Sequence, residues 1–411
     1  MVRLSIPSIP VRPPRSPTAL DLLPLPAAGE HLSAFLAKAK GRTLTITGAG
    51  VSVDSGIRAY RGEEGRYLNP NYSPIFYSEL VEDSPRGELF RKRYWGRSFL
   101  GYPPVRDAKP NPTHIYIAAL QALGLAPGLI TQNVDNLHRK ALRVVHDAFW
   151  QHGVEPSAAL RPALRMGSSM SDPGVSAPSP PTSIRSAVTP IIELHGTLAR
   201  VHCLRHMHQQ PRDDWQDQLA GGNPVWAAEA AWAADTGNMP RTNPDGDVEL
   251  PGADYKNFNV PECEICVAEG IDKSIVKPNV IFFGETLPTD VRDDSFELVE
   301  AASSLLVLGT TLATYSAFRL IKTAREQGKP VLMISLGPSR ADDLDGVEKM
   351  ERVAGPILRT FLDNYLATNS GPKVEAVKSV LDVGVIAELP KKDVVSAGTP
   401  ESKPGEEVAR P

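Results

Sequence analysis

Cysteine is scarce: three residues in a chain of 411, too few for a disulfide framework at this size. Two of them form Cys263-x-x-Cys266, and the third, Cys203, sits among His202, His206 and His208. That distribution points to a reducing compartment and a bound metal. Long apolar runs are also missing. None approaches the roughly 18 residues that a membrane-spanning helix needs, so no membrane partner is expected. Nor does one sign of charge dominate. Lys and Arg number 44 against 48 Asp and Glu, for a net charge of −4, which leaves no broad basic surface for direct nucleic-acid binding. With 41% hydrophobic residues the chain can bury a large core, as one large domain or two to three smaller ones. Acid is absent from the first 20 residues, which carry Arg3, Arg12, Arg15 and several serines. Such composition suits a mitochondrial presequence, although Pro7, Pro10, Pro13, Pro14 and Pro17 would break its helix and fit a plain disordered terminus equally.

What the chain does have is five short apolar runs, each ending in a polar or glycine-rich loop. They are Leu44–Thr47, Leu129–Thr131, Val280–Phe283, Leu305–Leu308 and Val331–Ile334. Separated by helical stretches such as Tyr315–Gly328, they read as buried parallel strands. The expected fold is α/β, a Rossmann-like parallel sheet with helices on both faces, whose loops converge beyond the C-terminal strand ends where ligands bind. The boundaries follow from composition. Residues 1–29 read as disordered or targeting sequence, and 30–369 as the catalytic domain. Within it, 30–142 and 276–369 are the Rossmann-like parts. Residues 143–190, rich in Pro, Ser and Ala, read as a disordered insertion. Residues 197–275 form a small inserted module around the Cys/His cluster. The tail 370–411, rich in Lys, Glu and Pro, reads as disordered.

The loop after the first run is TGAGVSVDSGIRAYRG, residues 47 to 62. Gly48 and Gly50 would let the backbone approach a diphosphate at a helix N-terminus. Val53 stands where a dehydrogenase fingerprint has its third glycine, which disfavours a nicotinamide dehydrogenase. The extended pattern Gly-Ala-Gly-x-Ser-x-x-Ser-Gly-Ile resembles the sirtuin family, as do Gln132-Asn133-Val134-Asp135, Glu193-Leu194-His195-Gly196 and Lys277-Pro278-Asn279-Val280-Ile281-Phe282-Phe283-Gly284-Glu285. The resemblance covers about residues 30–365, excluding 143–190. It implies NAD as cofactor, held by Gly48, Ala49, Gly50, Ser52, Ser55, Gly56, Ile57, Tyr60 and Arg61. Gln132, Asn133 and Asp135 would line the nicotinamide and ribose pocket. Gly309-Thr310-Thr311 and Ser335-Leu336-Gly337 would hold phosphates and adenosine, with Ala354 near the adenine. His195 would be the general base, a role its near-neutral pKa suits. Val280, Ile281, Phe282, Phe283 and Gly284 would pair with an acylated-lysine peptide as an added strand.

The metal cluster departs from the family, which carries Cys-x-x-Cys twice; here the first pair is Cys203-Leu204-Arg205-His206. Zinc accepts three thiolates and one imidazole. The expected ligands are therefore Cys203, His206, Cys263 and Cys266, with His208 as the competing fourth ligand and His202 less favoured by spacing. Four protein ligands leave no open position, so the metal is structural. The stretches 90–99, Pro110-Asn111-Pro112-Thr113-His114, Asn223-Pro224-Val225-Trp226 and Pro244-Asp245-Gly246-Asp247-Val248 resemble the class II mitochondrial branch, the sirtuin-four type, which favours the mitochondrial matrix over nucleus or cytoplasm. Ala59 replaces a family acid, and Ser335 stands where an Asn usually contacts the ribose.

What the resemblance implies is NAD-dependent protein-lysine deacylation. The acyl oxygen attacks the anomeric carbon and nicotinamide leaves; His195 deprotonates a ribose hydroxyl, and water then releases lysine and acyl-ADP-ribose. Mono-ADP-ribosyl transfer would use the same pocket, and a catalytically weak NAD-binding regulator is the third alternative. Arg93 or Arg97 could select an acidic acyl group, with a surface salt bridge as the plainer role.

Overall fold

The computed structural model describes residues 16–60, 74–155, 191–240, 242–248, 250 and 252–387. The presequence stretch 1–15, Arg61, most of the expected insertion (156–190) and the tail from 388 lie outside the described residues. In chain order the first elements are α1 (Leu25–Ala39), β1 (Thr43–Thr47), α2 (Tyr77–Val81), α3 (Pro85–Asp107), α4 (Pro112–Ala122), β2 (Gly128–Thr131) and α5 (Leu137–Gln151). There follow β3 (Ile191–Glu193), β4 (Gly196–Cys203), β5 (Gln209–Pro211), α6 (Arg212–Gly222), α7 (Pro224–Thr236), α8 (Glu264–Ala268) and β6 (Val276–Val280). The last are α9 (Thr289–Ala301), β7 (Ser304–Leu308), α10 (Tyr315–Glu326), β8 (Val331–Ile334), β9 (Val347–Met350), α11 (Ala354–Thr368) and α12 (Pro372–Lys378).

Six strands form one parallel sheet in the order β3-β2-β1-β7-β8-β9. Alternation along the strands feeds two cores. Leu306 and Leu308 face the side covered by α1, α4, α5, α11 and α12, where Leu32, Ile115, Leu142 and Phe361 pack. Leu305 and Val307 face α9 and α10, against Val299, Leu320 and Ile321. All four sheet residues are inaccessible to water, as strands covered on both faces must be. The Rossmann-like expectation is met.

One of the five expected strands is misplaced. Val280–Phe283 is not in the parallel sheet: β6 ends at Val280 and pairs antiparallel with β4 in a second sheet, β5-β4-β6. Its last residues are only half buried, unlike a strand covered on both faces. The parallel sheet instead gains β3 and β9, neither of which is an apolar run. The second sheet belongs to the small module. Its core joins Val201, Trp215, Phe258 and Val276 to Trp95 and Phe99 of α3. Most of residues 77–107 therefore pack with the module, while Tyr102 and Val105 near the end of α3 pack against Ile57, Val134 and Leu137 of the Rossmann-like part, to which sequence had assigned the whole stretch.

Three expected boundaries move as well. Helix α1 begins at Leu25, inside the terminus read as disordered, and α5 continues to Gln151, inside the expected insertion. The tail is ordered beyond 370. Helix α12 docks Val374, Ala376 and Val377 into the first core, with Val380 and Leu381 following. The chain then passes the start of α4, where Val385 N–H donates to Pro110 O at 3.1 Å, and reaches the loop after β1, where Ala387 N–H donates to Asp54 O at 2.8 Å. A side chain on Gly384 would collide with the backbone of Pro112.

Candidate functional site

The loops after β1 and β7 cross in close contact. Gly50 N–H donates to Gly309 O at 2.8 Å, and a Cβ on Gly50 would lie 2.7 Å from that oxygen. The small residues of Gly-Ala-Gly thus serve the packing of two cofactor-side loops. Gly309 has φ +57 and meets Val51 N as closely from the other side, a position that favours glycine for conformation and space alike.

Between the loops after β1 and β2 lies a cleft lined by Ala49, Ser52, Ile57, Tyr60, Gln132, Asn133, Val134, Asp135 and Pro244. The structure thus brings together seven residues read from sequence as cofactor-binding in the first two loops and adds Pro244 from the small module, which sequence had marked only as part of a branch motif. Asn133 Nδ2 donates to Gly48 O at 3.1 Å and Ser52 Oγ at 3.0 Å, and Ser52 donates to Asp135 at 2.7 Å. Burial raises the Asp135 carboxyl above its ordinary value.

Two histidines that sequence reasoning missed stand behind this cleft. His114 contacts Ser52 Oγ at 3.3 Å, and its ring meets that of His138 edge-on at 4.8 Å. Thr47 donates to Thr131, so the 2.9 Å contact of His138 Nε2 with Thr47 Oγ1 requires His138 to donate. Burial pushes His138 down to about 3 and holds His114 well below its usual value, so both are neutral. The signal for His114 was the motif Pro110–His114, in which Asn111 caps α4 and binds Val51 O at 2.8 Å.

Some predicted positions face elsewhere. Ser335 Oγ donates inward to Thr310 O at 3.1 Å. Leu336 is exposed, and Gly337 N–H is held by Glu351. Thr311 O accepts from Arg340 N–H. Ser55 is buried with no partner for its Oγ among the described residues, and Gly56 faces Ala387. Ala354 opens α11, buried. Arg97 pairs with Asp247 and donates to Val248 O at 2.7 Å, bracing the loop that carries Pro244; it forms a salt bridge, but a largely buried one and not the surface pair expected.

His195 follows β3, so a fifth parallel strand end does reach the site, though not the one expected. Its Nδ1 lies 3.1 Å from Gln132 O and its Nε2 2.8 Å from Ser316 Oγ. Burial lowers it to about 4, partly countered by the Gln132 carbonyl. Its own carbonyl accepts from Ile281 N–H at 2.9 Å. The segment 280–284 is thus tied to the histidine. Lys277 bonds Val280 O and Glu285, Glu285 accepts from Phe282 N–H, and Tyr77 N–H donates to Phe283 O. Gly196 has φ +80, and a Cβ there would overlap Asn279 O, so only glycine lets β4 and β6 meet beside His195.

In the small module Cys203, His208, Cys263 and Cys266 place their ligand atoms within 4.8 Å of one another. His206, the expected fourth ligand, is not among them and lies exposed. Its backbone N–H bonds Cys203 Sγ at 3.4 Å, and Met207 at φ +57 reverses the chain, which brings in His208, the competing candidate. His208 Nδ1 stands 3.7, 3.6 and 3.5 Å from the sulfurs of Cys203, Cys263 and Cys266, and Cys203 and Cys266 are 3.8 Å apart. A tetrahedron of Zn–S bonds near 2.3 Å has edges of about 3.8 Å. Burial and the neighbouring thiols push Cys266 up to about 12, so the sulfurs need a cation to be thiolates together. The donor set fits zinc.

The sequence profile of the Sir2 family matches residues 48–153 and 184–316. The chain belongs to the Sir2, or sirtuin, family. The unmatched stretch between these blocks falls where an insertion was expected. NAD-dependent protein deacylase SIR4 of Batrachochytrium dendrobatidis is 38% identical, over 75% of this chain and 86% of its own. Human NAD-dependent protein lipoamidase sirtuin-4, mitochondrial, is 34% identical over 82% and 84%. An NAD-dependent protein deacetylase of Xanthomonas axonopodis is 34% identical over 78% and 87%. Among solved structures, a Sir2–p53 peptide–NAD+ complex superposes with a TM-score of 0.51 at 23% identity, over 82% of this chain and 99% of that one, a likeness of fold. Among the described residues no helix is long and apolar enough to cross a membrane.

Proposed function

We propose that this sirtuin is an NAD-dependent protein-lysine deacylase with His195 as its base, acting in mitochondria. The observation that carries the reading is the junction at His195. One ring nitrogen is held by Gln132, which lines the cleft, and the histidine's own carbonyl holds the segment 280–284. Base, cofactor cleft and peptide segment are thereby fixed to one residue. The names of the curated relatives, NAD-dependent deacylases, a lipoamidase and deacetylases, agree. The human and bovine relatives are named mitochondrial, which, with the acid-free basic N-terminus, supports the location.

When bound, NAD supplies the electrophilic anomeric carbon and the ribose hydroxyls. Asn133, Asp135, Ser52 and Ile57 offer a buried mix of donors, acceptors and apolar surface suited to a nicotinamide carboxamide and ribose. Ala49, Thr310 and Thr311, beside the tightly packed Gly48 and Gly50, offer backbone groups to the diphosphate. His195, neutral because it is buried, accepts a proton at Nε2. Residues 280–284 orient the acyl-lysine peptide through backbone pairing. The Cys/His site, closed by four protein ligands, holds zinc as a structural ion.

The test is His195→Ala, assayed on a panel of acyl-peptides with nicotinamide and acyl-ADP-ribose measured separately. General-base removal should cost about 10²- to 10⁴-fold in acyl-ADP-ribose formation, with NAD binding kept. A variant with wild-type deacylation would sink the assignment. ADP-ribosylated protein without acyl-ADP-ribose would replace it with the transferase alternative.

A further inference from the structure

The second partner of His195 plays no part in the reading above, and it comes from a different element. Ser316 is the second residue of α10, a helix anchored on the sheet by Ala317, Leu320, Ile321 and Ala324. Its hydroxyl stands 2.8 Å from His195 Nε2. The opposite nitrogen meets the Gln132 carbonyl, which can only accept. In the neutral ring Nδ1 must therefore carry the hydrogen, Nε2 the lone pair, and Ser316 must donate. Gln132 is itself clamped. Its side-chain Nε2 donates to Thr47 O at 3.1 Å and Thr310 Oγ1 at 2.8 Å, and its Oε1 accepts from Thr314 at 3.3 Å. Thr314 and Ser316, two positions apart at the start of one helix, thus hold the two ends of the His195–Gln132 unit.

We propose that Ser316 is a positioning residue that, with the Gln132 carbonyl, locks His195 in the Nδ1–H tautomer with its basic lone pair on Nε2. A ring held at Nδ1 alone can still tilt, and its Nε2 then bonds water. The hydroxyl fixes the plane and keeps the lone pair in one direction until a substrate hydroxyl replaces it. Alanine cannot do this, whereas threonine keeps the hydroxyl.

The inference rests on His195 being the base, and its test separates the two. Imidazole 15N signals of the free enzyme at neutral pH should show a single Nδ1–H tautomer for His195. Ser316→Ala should show mixed tautomers, and Ser316→Thr the wild-type pattern. In turnover, Ser316→Ala should slow acyl-ADP-ribose formation about five- to tenfold, the worth of one hydrogen bond. Nicotinamide exchange, which precedes the base step, should stay within about twofold, and Ser316→Thr should recover most of the loss. Unchanged 15N signals in Ser316→Ala, or equal loss in both steps that threonine does not rescue, would overturn the role of Ser316. Neither result touches the assignment of His195, which His195→Ala alone decides.

Discussion

The parallel sheet and the small Cys/His module are held together differently. The sheet has apolar layers on both faces, and the side chains of β7 and β8 are fully removed from water. Each buried aliphatic side chain there contributes about 1.5–3 kcal/mol, spread over many residues. The module rests on a short three-stranded sheet and a smaller core in which all three cysteines of the zinc site, Cys203, Cys263 and Cys266, are themselves core residues. A single ion joining four side chains replaces part of the apolar burial that so small a unit lacks. Stability is distributed in one region and concentrated in the other.

That contrast can be broken most forcefully at the metal. Cys266→Ser should abolish stoichiometric zinc, measured by elemental analysis, because structural zinc contributes on the order of 10 kcal/mol to small modules. Hydrogen exchange should then rise across 196–280 while β1, β7 and β8 stay protected and ADP-ribose still binds. Equal loss of protection in both regions would show that they fold as one unit. Next in size is Leu306→Ala in the sheet, which should cost about 2–5 kcal/mol in chemical denaturation and leave zinc content unchanged.

The third prediction sharpens the ligand set. His208→Ala should weaken zinc retention against a chelator by at least about tenfold, and His206→Ala should not. The smallest effect concerns pH. His195 lies at about 4 and His138 at about 3 in the fold, against about 6.5 in the unfolded chain. Below pH 6.5 the unfolded state therefore binds more protons, so stability is full above that value and declines as pH falls toward about 3, the folded-state value of His138. The acid limb of kcat/KM for deacylation should likewise lie below 6.5; a limb at or above it would show His195 solvated, not buried.

Legibility in the sequence followed the same division. Four sheet strands were visible as apolar runs, because burial on both faces leaves no polar alternation. Strand β9, Val347-Glu348-Lys349-Met350, is an edge whose Lys349 reaches Asp342, and β3 is only three residues long; neither makes a run. Val280–Phe283 looked like a parallel strand because a short apolar run does not report its partner's direction. The Cys-x-x-Cys analogy favoured His206 over His208 because spacing does not reveal the left-handed turn at Met207. The polar composition after 370 hid the helical spacing of Val374, Val377 and Leu381. Motifs located the cleft and His195, yet Ser316 carried no signal, since its role depends on where α10 starts relative to β3.

The strap from α12 to the loop after β1 has a further consequence for how the protein comes into being. Central β1 pairs with β7, Thr43 bonding Ser304 across 261 positions of sequence, and Ala387 then bonds Asp54. As the chain leaves the ribosome, β1 waits beside an unfilled neighbour while the whole Cys/His module is made. The brace on the cofactor loop is among the last described parts to emerge. Contacts this distant slow folding and leave strand edges open meanwhile. The half of the molecule that looks sturdiest when finished is thus the half most in need of protection during synthesis.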